Sequence, residues 1–260
     1  MKRTSLTNTQ REVLEDLIAD QGSIVSTQDI IEKLHYETLE SKHRFVSQLQ
    51  RAGWLVRIKN GLFQIADLGS LGTLSLARYT IAQLLLPESY VSFHAALQFH
   101  GFFDQSLSSI NSVSLRQKSA VQLEGTTYRF IKTKPAYYHG FMSHAMNGRR
   151  VQIAEAEKAI IDLMQFARSG ATVDLALEIL RNGQDRLQIT QLVDWTLRAP
   201  LAVQRTIGFL LDTVGSDGSA LAEMAQRSKS ITKITSESSR YNSDWRLYYD
   251  PFYFKELTPP

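Results

Sequence analysis

The chain has 260 residues, 43% hydrophobic and 21% charged, enough to bury the core of one large domain or two ordinary ones. Its net charge of +3 is compatible with a nucleic-acid partner without being evidence for one. The absence of cysteine excludes disulfides and thiol catalysis, no apolar run reaches membrane-spanning length, and the basic N terminus meets Gln10, Arg11 and Glu12 without an apolar signal core, so a cytoplasmic location is expected.

Residues 7–20 read as a first helix, with Thr7 or Asn8 as its cap, Val13, Leu14, Leu17 and Ile18 facing inward, and Gly22 beyond its end. Ile24 and Val25 form a short β-prone step able to pair with a later strand. Ser26 or Thr27 then caps a second helix through Leu34, with Ile30, Ile31 and Leu34 on its buried side. Residues 41–52 give a third helix, where Phe45, Val46 and Leu49 recur on one side and Arg44, Ser47, Gln48 and Arg51 on the other. Gly53 supplies a left-handed stop. Beyond it Trp54, Val56 and Ile58 alternate with Leu55 and Arg57, and residues 62–65 are a second β-prone run. Asn60-Gly61 between them is the commonest pair for a two-residue hairpin, in which both central residues take positive φ. Helix, strand, helix, helix, hairpin is the order of a winged helix-turn-helix, expected here as a domain over residues 1–67.

Charge within that segment is segregated. Residues 38–60 hold five fixed cations, Lys42, Arg44, Arg51, Arg57 and Lys59, against Glu40 alone, whereas the rest of residues 1–67 holds four basic and eight acidic side chains. Cations on a helix that fits the major groove gain affinity by releasing counterions from phosphates, which favours double-stranded DNA over an ordinary solvated helix face. Lys42, Arg51, Arg57 and Lys59 are expected on phosphates, and Arg44, Ser47 and Gln48 on base edges.

Residues 66–73, with Gly69, Ser70 and Gly72, read as a link. A helix over 74–86 stopped by Pro87 follows, then one over 93–100 capped by Ser92 and closed by Gly101. From 110 to 153 β-branched and aromatic residues come in short runs, with turns at Glu124-Gly125 and Asn147-Gly148, which predicts a small, mostly antiparallel sheet. That stretch carries Arg116, Lys118, Arg129, Lys132, Lys134, Arg149 and Arg150 against Glu124 alone. Three readings of this basic surface stand open: an extension of the DNA contact, a face for an acidic partner, or a solvated surface. Helices are expected over 155–168, 172–181, 189–198, 200–214 and 220–227, then a loop or exposed hairpin over 228–240 and a closing strand within 241–254. The fold class is therefore α+β: a winged helix-turn-helix, then a mixed domain over 74–260 with a small sheet and a helical C-terminal portion.

No constellation supports catalysis or a metal. His94 and His100 are six apart and His139 and His144 five apart, which places neither pair on one helix face. Glu155, Glu157, Lys158 and Asp162 are better read as carboxylates at a helix start with Lys158 and Asp162 as a surface pair than as an acid/base cluster. Gly69-Ser70 and Gly72 lack the Gly-Lys-Ser/Thr of a phosphate loop. Neither a cofactor nor enzymatic activity is expected.

The motifs LQRAGWLVRIKNGLFQI (49–65), YVSFHAALQFHGF (90–102, with Ser92, Ala95, Leu97, His100 and Gly101), VQIAEAEKAIIDLM (151–164) and YNSDWRLYYD (241–250) resemble, in that order, the AbiEi-type antitoxins of bacterial abortive-infection systems. The resemblance implies an N-terminal winged helix that binds operator repeats and represses its own operon, and a C-terminal domain that counters a nucleotidyltransferase-like toxin encoded beside it. Carried over, it makes residues 41–51 the groove helix, from Ser41 onward, and 57–61 the wing, including Asn60. It assigns no toxin-neutralising residue and no oligomeric state. The alternative is a stand-alone winged-helix transcriptional regulator whose C-terminal domain senses a ligand or dimerises.

Overall fold

The computed structural model describes residues 5–35, 38–67 and 71–251. By contact the chain divides into two compact units, residues 1–87 with 122–125, and residues 88–121 with 126–260.

In the first unit Thr7 opens α1 (Asn8–Gln21) with a reciprocal capping box. Its hydroxyl accepts from the Gln10 N–H at 3.2 Å, and the Gln10 side chain accepts from the Thr7 N–H at 3.1 Å. A second box, Ser26 with Asp29, opens α2 (Thr27–Lys33) directly from β1 (Ile24–Ser26). Thr38 caps α3 (Leu39–Arg51), and β2 (Leu55–Lys59) and β3 (Leu62–Ile65) follow. The sheet order is β1-β3-β2, antiparallel throughout, with Val25 opposite Phe63. Leu17, Val25, Ile30, Leu49, Leu55 and Phe63 meet in one core. Each such side chain stabilises the unit by about 1.5–3 kcal/mol on burial, which carries a seven-residue helix like α2 that would not persist alone. Ile18, expected inward, is instead 47% exposed. It lies about 100° round the helix from Leu17, beyond the arc that Val13, Leu14 and Leu17 cover.

The ribbon departs from strict alternation. Its register shifts between Arg57 and Lys59, so Leu55 and Ile58 both face the core while Arg57 faces out. Gly61 takes φ 72°, but Asn60 is not in the positive-φ region, so the expected pair of positive angles is not formed. The helix predicted over 74–86 also shortens, to α4 (Arg78–Leu85). The buried Gln64 side chain accepts from the Ser75 N–H at 3.1 Å and donates to its hydroxyl, which holds residue 75 out of a helix. The Gly69-Ser70 step lies outside the described residues.

The second unit is built on a six-stranded sheet in the order β6-β7-β5-β4-β9-β8, from β4 (Ser89–Val91), β5 (Ser109–Ser114), β6 (Lys118–Leu123), β7 (Thr126–Lys132), β8 (Phe141–Met146) and β9 (Arg149–Ala154), with α5 (Phe93–Phe99) between β4 and β5. The sheet is mixed rather than mostly antiparallel. β5 runs parallel to β7 and β4 parallel to β9, while β4–β5 and β8–β9 are antiparallel. The reason is topological: β6 steps out to the edge, and two reversals of direction leave β7 beside β5 with the same heading. The Glu124-Gly125 and Asn147-Gly148 turns both form, each with two positive φ values.

The helices α6 (Ala156–Phe166), α7 (Gly170–Asn182), α8 (Ile189–Thr196), α9 (Leu201–Thr213) and α10 (Ser219–Gln226) follow. The C-terminal portion is not one closing strand. β10 (Thr232–Lys233), β11 (Arg240–Asn242) and β12 (Leu247–Tyr249) form a small sheet ordered β10-β12-β11, with a reversal at 243–246. Residues 252–254 of the expected strand lie outside the described residues. Arg205 of α9 is fully buried and donates to the carbonyls of Ala225, Ser228 and Ser230 at 2.7–2.9 Å, so main-chain oxygens take the place of a carboxylate. No helix among the described residues is long and apolar enough to cross a membrane.

Candidate nucleic-acid interface

Sequence places α3 with one face inward and the opposite face to solvent. Phe45, Val46 and Leu49 are buried, and Ser41, Arg44, Gln48 and Arg51 are exposed with Ser47 beside them. The helix end is fixed by Gly53 at φ 84°, with the Trp54 N–H on the Leu49 carbonyl at 2.9 Å and the Gly53 N–H on the Gln50 carbonyl at 3.0 Å. That closure sets the angle at which β2 leaves the helix. The Thr27 N–H donates to the Gly61 carbonyl at 2.9 Å, tying the ribbon's turn to the start of α2.

The five cations of residues 38–60 do not behave alike. Arg51 and Arg57 are exposed, with no hydrogen bond or ion pair among the described residues. Arg44 is 69% exposed and meets Glu40, one turn earlier, at 3.3 Å, a contact worth only about 0.3–0.5 kcal/mol that phosphate or a base edge can displace. Lys42 lies on the inner side of α3, half-buried, and donates to the Ile31 carbonyl at the end of α2 at 3.1 Å. Lys59 donates to the Leu84 carbonyl in the last turn of α4 at 2.7 Å. Both lysines hold helix ends, where freed carbonyls favour a cation. Ser47 donates back to the His43 carbonyl at 3.0 Å, and Ser41 accepts from the Thr38 hydroxyl at 2.8 Å. Asn60 is exposed at the ribbon's tip.

The seven cations of the second unit do not share one surface. Arg116 is exposed after β5 and pairs with Glu88 at 2.9 Å. Lys118 begins β6, Arg129 and Lys132 lie on β7, and Lys134 follows β7. Arg149 and Arg150 begin β9, separated from β7 by β5 and β4, three strand spacings or roughly 14 Å away. As neighbours on a strand, the two arginines point to opposite faces.

The Lys158 and Asp162 pair, expected at the surface, is completely buried at 2.5 Å, with the side chains 1% and 0% exposed. Ser92, expected to cap α5, instead donates its hydroxyl to Asp162 Oδ2 at 2.7 Å, and the Tyr90 hydroxyl donates to the same oxygen at 3.1 Å. Burial pushes the Asp162 carboxyl up against the opposing pull of Lys158, Ser92 and Tyr90. Burial, reinforced by Asp162, pushes the Tyr90 hydroxyl far above the usual phenol range. Glu157 is buried too and accepts from the Gln188 N–H at 2.7 Å. These groups offer no exposed atom to a reactant, so the cluster ties β4 to α6. His139, half-buried near Lys158, is pushed down to about 4 by desolvation, then by the Lys158 and Arg198 charges. His100 meets the Ala154 carbonyl at 2.8 Å. Among the described residues no three His, Asp or Glu side chains gather to hold a metal.

Three helices, a β1-β3-β2 sheet and an exposed basic helix beside a two-stranded ribbon fit the winged-helix class of DNA-binding modules. Residues 12–66 match the family described as "Transcriptional regulator, AbiEi antitoxin", so the resemblance seen in the sequence is shown over that module. The family is one of regulators rather than an enzyme class, which supports a DNA-binding regulator. No curated protein matches the chain. Among solved structures, the crystal structure of RV2827C protein from Mycobacterium tuberculosis is similar, with a TM-score of 0.67 and 14% identity, covering 94% of this chain and 92% of that one. At that identity the likeness concerns the fold alone.

Proposed function

We propose that the protein is a DNA-binding antitoxin and transcriptional autorepressor that counters a cognate nucleotidyltransferase-like toxin. The observation that carries the DNA-binding part is the face formed by Arg44, Ser47, Gln48 and Arg51 on α3, with Arg57 on the adjoining ribbon. Arg51 and Arg57 take phosphates, and Arg44 and Gln48 read base edges in operator repeats, with Ser41, Ser47 and Asn60 at the margins. Lys42 and Lys59 act by setting the positions of α2 and α4 around that face rather than by direct contact.

The toxin part rests on the family resemblance. Its test is growth rescue on induction of the adjacent gene, with the full chain and with a variant lacking residues 1–67. Rescue by the full chain is expected, and failure to rescue rejects the antitoxin role. Rescue by the shortened variant places toxin control in the second domain, proposed as residues 74–260. A stand-alone regulator with a ligand-sensing second unit is the alternative, favoured by a cavity beside the end of α6. It is the reading left if operator binding is found without rescue.

A further inference from the structure

The six-stranded sheet of the second unit ends at β8, and that edge lacks the devices that keep sheet edges apart. Its sequence, Phe-Met-Ser-His-Ala-Met over residues 141–146, has no lysine, arginine, aspartate, glutamate or proline, and its register against β9 runs without a bulge. The opposite edge, β6, opens with Lys118. Met142 is 56% exposed, and Ser143 and Ala145 are exposed beside it. Along an antiparallel strand, main-chain groups turn alternately toward and away from the neighbour. The two-residue turn Asn147-Gly148 makes Met146 and Arg149 a hydrogen-bonded pair, so Met142 and His144 share its parity and turn their main chain to β9. The Glu155 N–H on the Gly140 carbonyl at 3.0 Å continues the same parity. The N–H and C=O groups of Phe141, Ser143 and Ala145 therefore point off the sheet, and among the described residues nothing bonds them.

The edge is also held ready. Phe141 stacks on Tyr90 with ring centroids 4.6 Å apart, His144 meets Phe99 at 4.7 Å, and the Asn147-Gly148 turn closes the strand's end. A strand already ordered loses little freedom on pairing. We propose that β8 pairs antiparallel with β8 of a second copy of this chain, about a two-fold axis at Ser143, and so joins two sheets into one. The occupant follows from charge and from parity. An edge without charge offers an acidic or basic partner strand no complement, but meets its own copy without repulsion. With Ser143 opposite Ser143 and Phe141 opposite Ala145, each outward main-chain group faces another outward group, as an isologous contact requires. Met142 of each copy then stands opposite His144 of the other, which sets a ring against its exposed thioether. A pair of six-residue strands is small beside the roughly 1,200–2,000 Å² of stable interfaces, so the dimer dissociates on dilution. The pairing is independent of whether the protein is an antitoxin.

The test is sedimentation velocity of the full chain, without DNA, over a dilution series reaching about 100 μM, where a contact of this size should populate. A monomer–dimer equilibrium is expected. Ser143→Lys sets two like charges face to face and should weaken the dimer at least tenfold, with the melting midpoint of the dilute protein unchanged because Ser143 is exposed. Ser143→Pro deletes an outward N–H without touching the bonds to β9 and should weaken the dimer likewise. Ser119→Lys, on the exposed side of β6, should leave it as it is. The chain has no cysteine, so Ser143→Cys introduces a single thiol. Hydrogen-bonded residues across an antiparallel pair have Cα atoms about 5.5 Å apart, within disulfide reach, so mild oxidation should link two copies of this variant and not of Ser119→Cys. A protein that stays monomeric throughout the series overturns the proposal, as does a dimer that both Ser143→Lys and Ser143→Pro leave intact, or cross-linking no greater from position 143 than from 119.

Discussion

Single side chains divide the cations of the first unit into two kinds, and the division is measurable. Arg44→Ala should lower operator affinity by about 1–3 kcal/mol and relax sequence preference if it holds a guanine. Arg57→Ala should weaken all sequences alike and reduce the slope of log affinity against log salt by about 0.9. Lys42→Ala should leave that slope unchanged and instead lower the melting midpoint, because what it loses is the bond to the Ile31 carbonyl. Salt-dependent gel shifts beside thermal melts distinguish the three, and an equal slope change for Lys42 and Arg57 would contradict the assignment. His139 gives a pH signature. Its proton affinity is depressed to about 4 in the folded chain against about 6.5 when unfolded, so between those values the unfolded state binds the extra proton. Stability should therefore fall as pH drops through that window, and the difference between wild type and His139→Gln melting midpoints should stop changing with pH above about pH 7.

At the scale of elements, α6 is held to β4 by a buried charge pair, and breaking one side should be severe. Asp162→Ala leaves Lys158 uncompensated at 1% exposure, a loss of about 3–5 kcal/mol by denaturant titration, whereas replacing both partners by apolar residues should recover part of it. On α9, Gly208 lies under Trp245, whose ring atoms come within 2.0 Å of where a Cβ would stand, and the indole N–H reaches Asp212 at 3.3 Å. Gly208→Ala should therefore cost about 1–3 kcal/mol through overpacking, seen as a lower melting midpoint. These elements also mark what a sequence reveals. α1 to α3 and the ribbon are legible because caps, Gly53 and the spacing of Phe45, Val46 and Leu49 are local signals. β4 is not legible, since three residues give no periodicity, and neither is the parallel pairing of β5 with β7, which depends on where a strand returns. Lys158 and Asp162 four apart look the same in sequence on a surface as in a core, so the buried partners Tyr90 and Ser92, about seventy residues away, could not be read from spacing.

Across the whole molecule, two compact units carry different chemistries: an exposed basic helix face in one, a mixed sheet with a small, largely apolar cavity in the other. The charge count of residues 38–60 anticipated the first but overstated it, since burial and helix ends claim two of the five cations. Those two lysines have a further effect. A ribbon whose turn is anchored to α2 and whose Lys59 grips α4 has already surrendered most of its freedom before any duplex arrives. Docking then asks for little additional ordering, so the heat capacity of association should report surface dehydration and not folding, and the protein should meet its operator as a nearly finished shape.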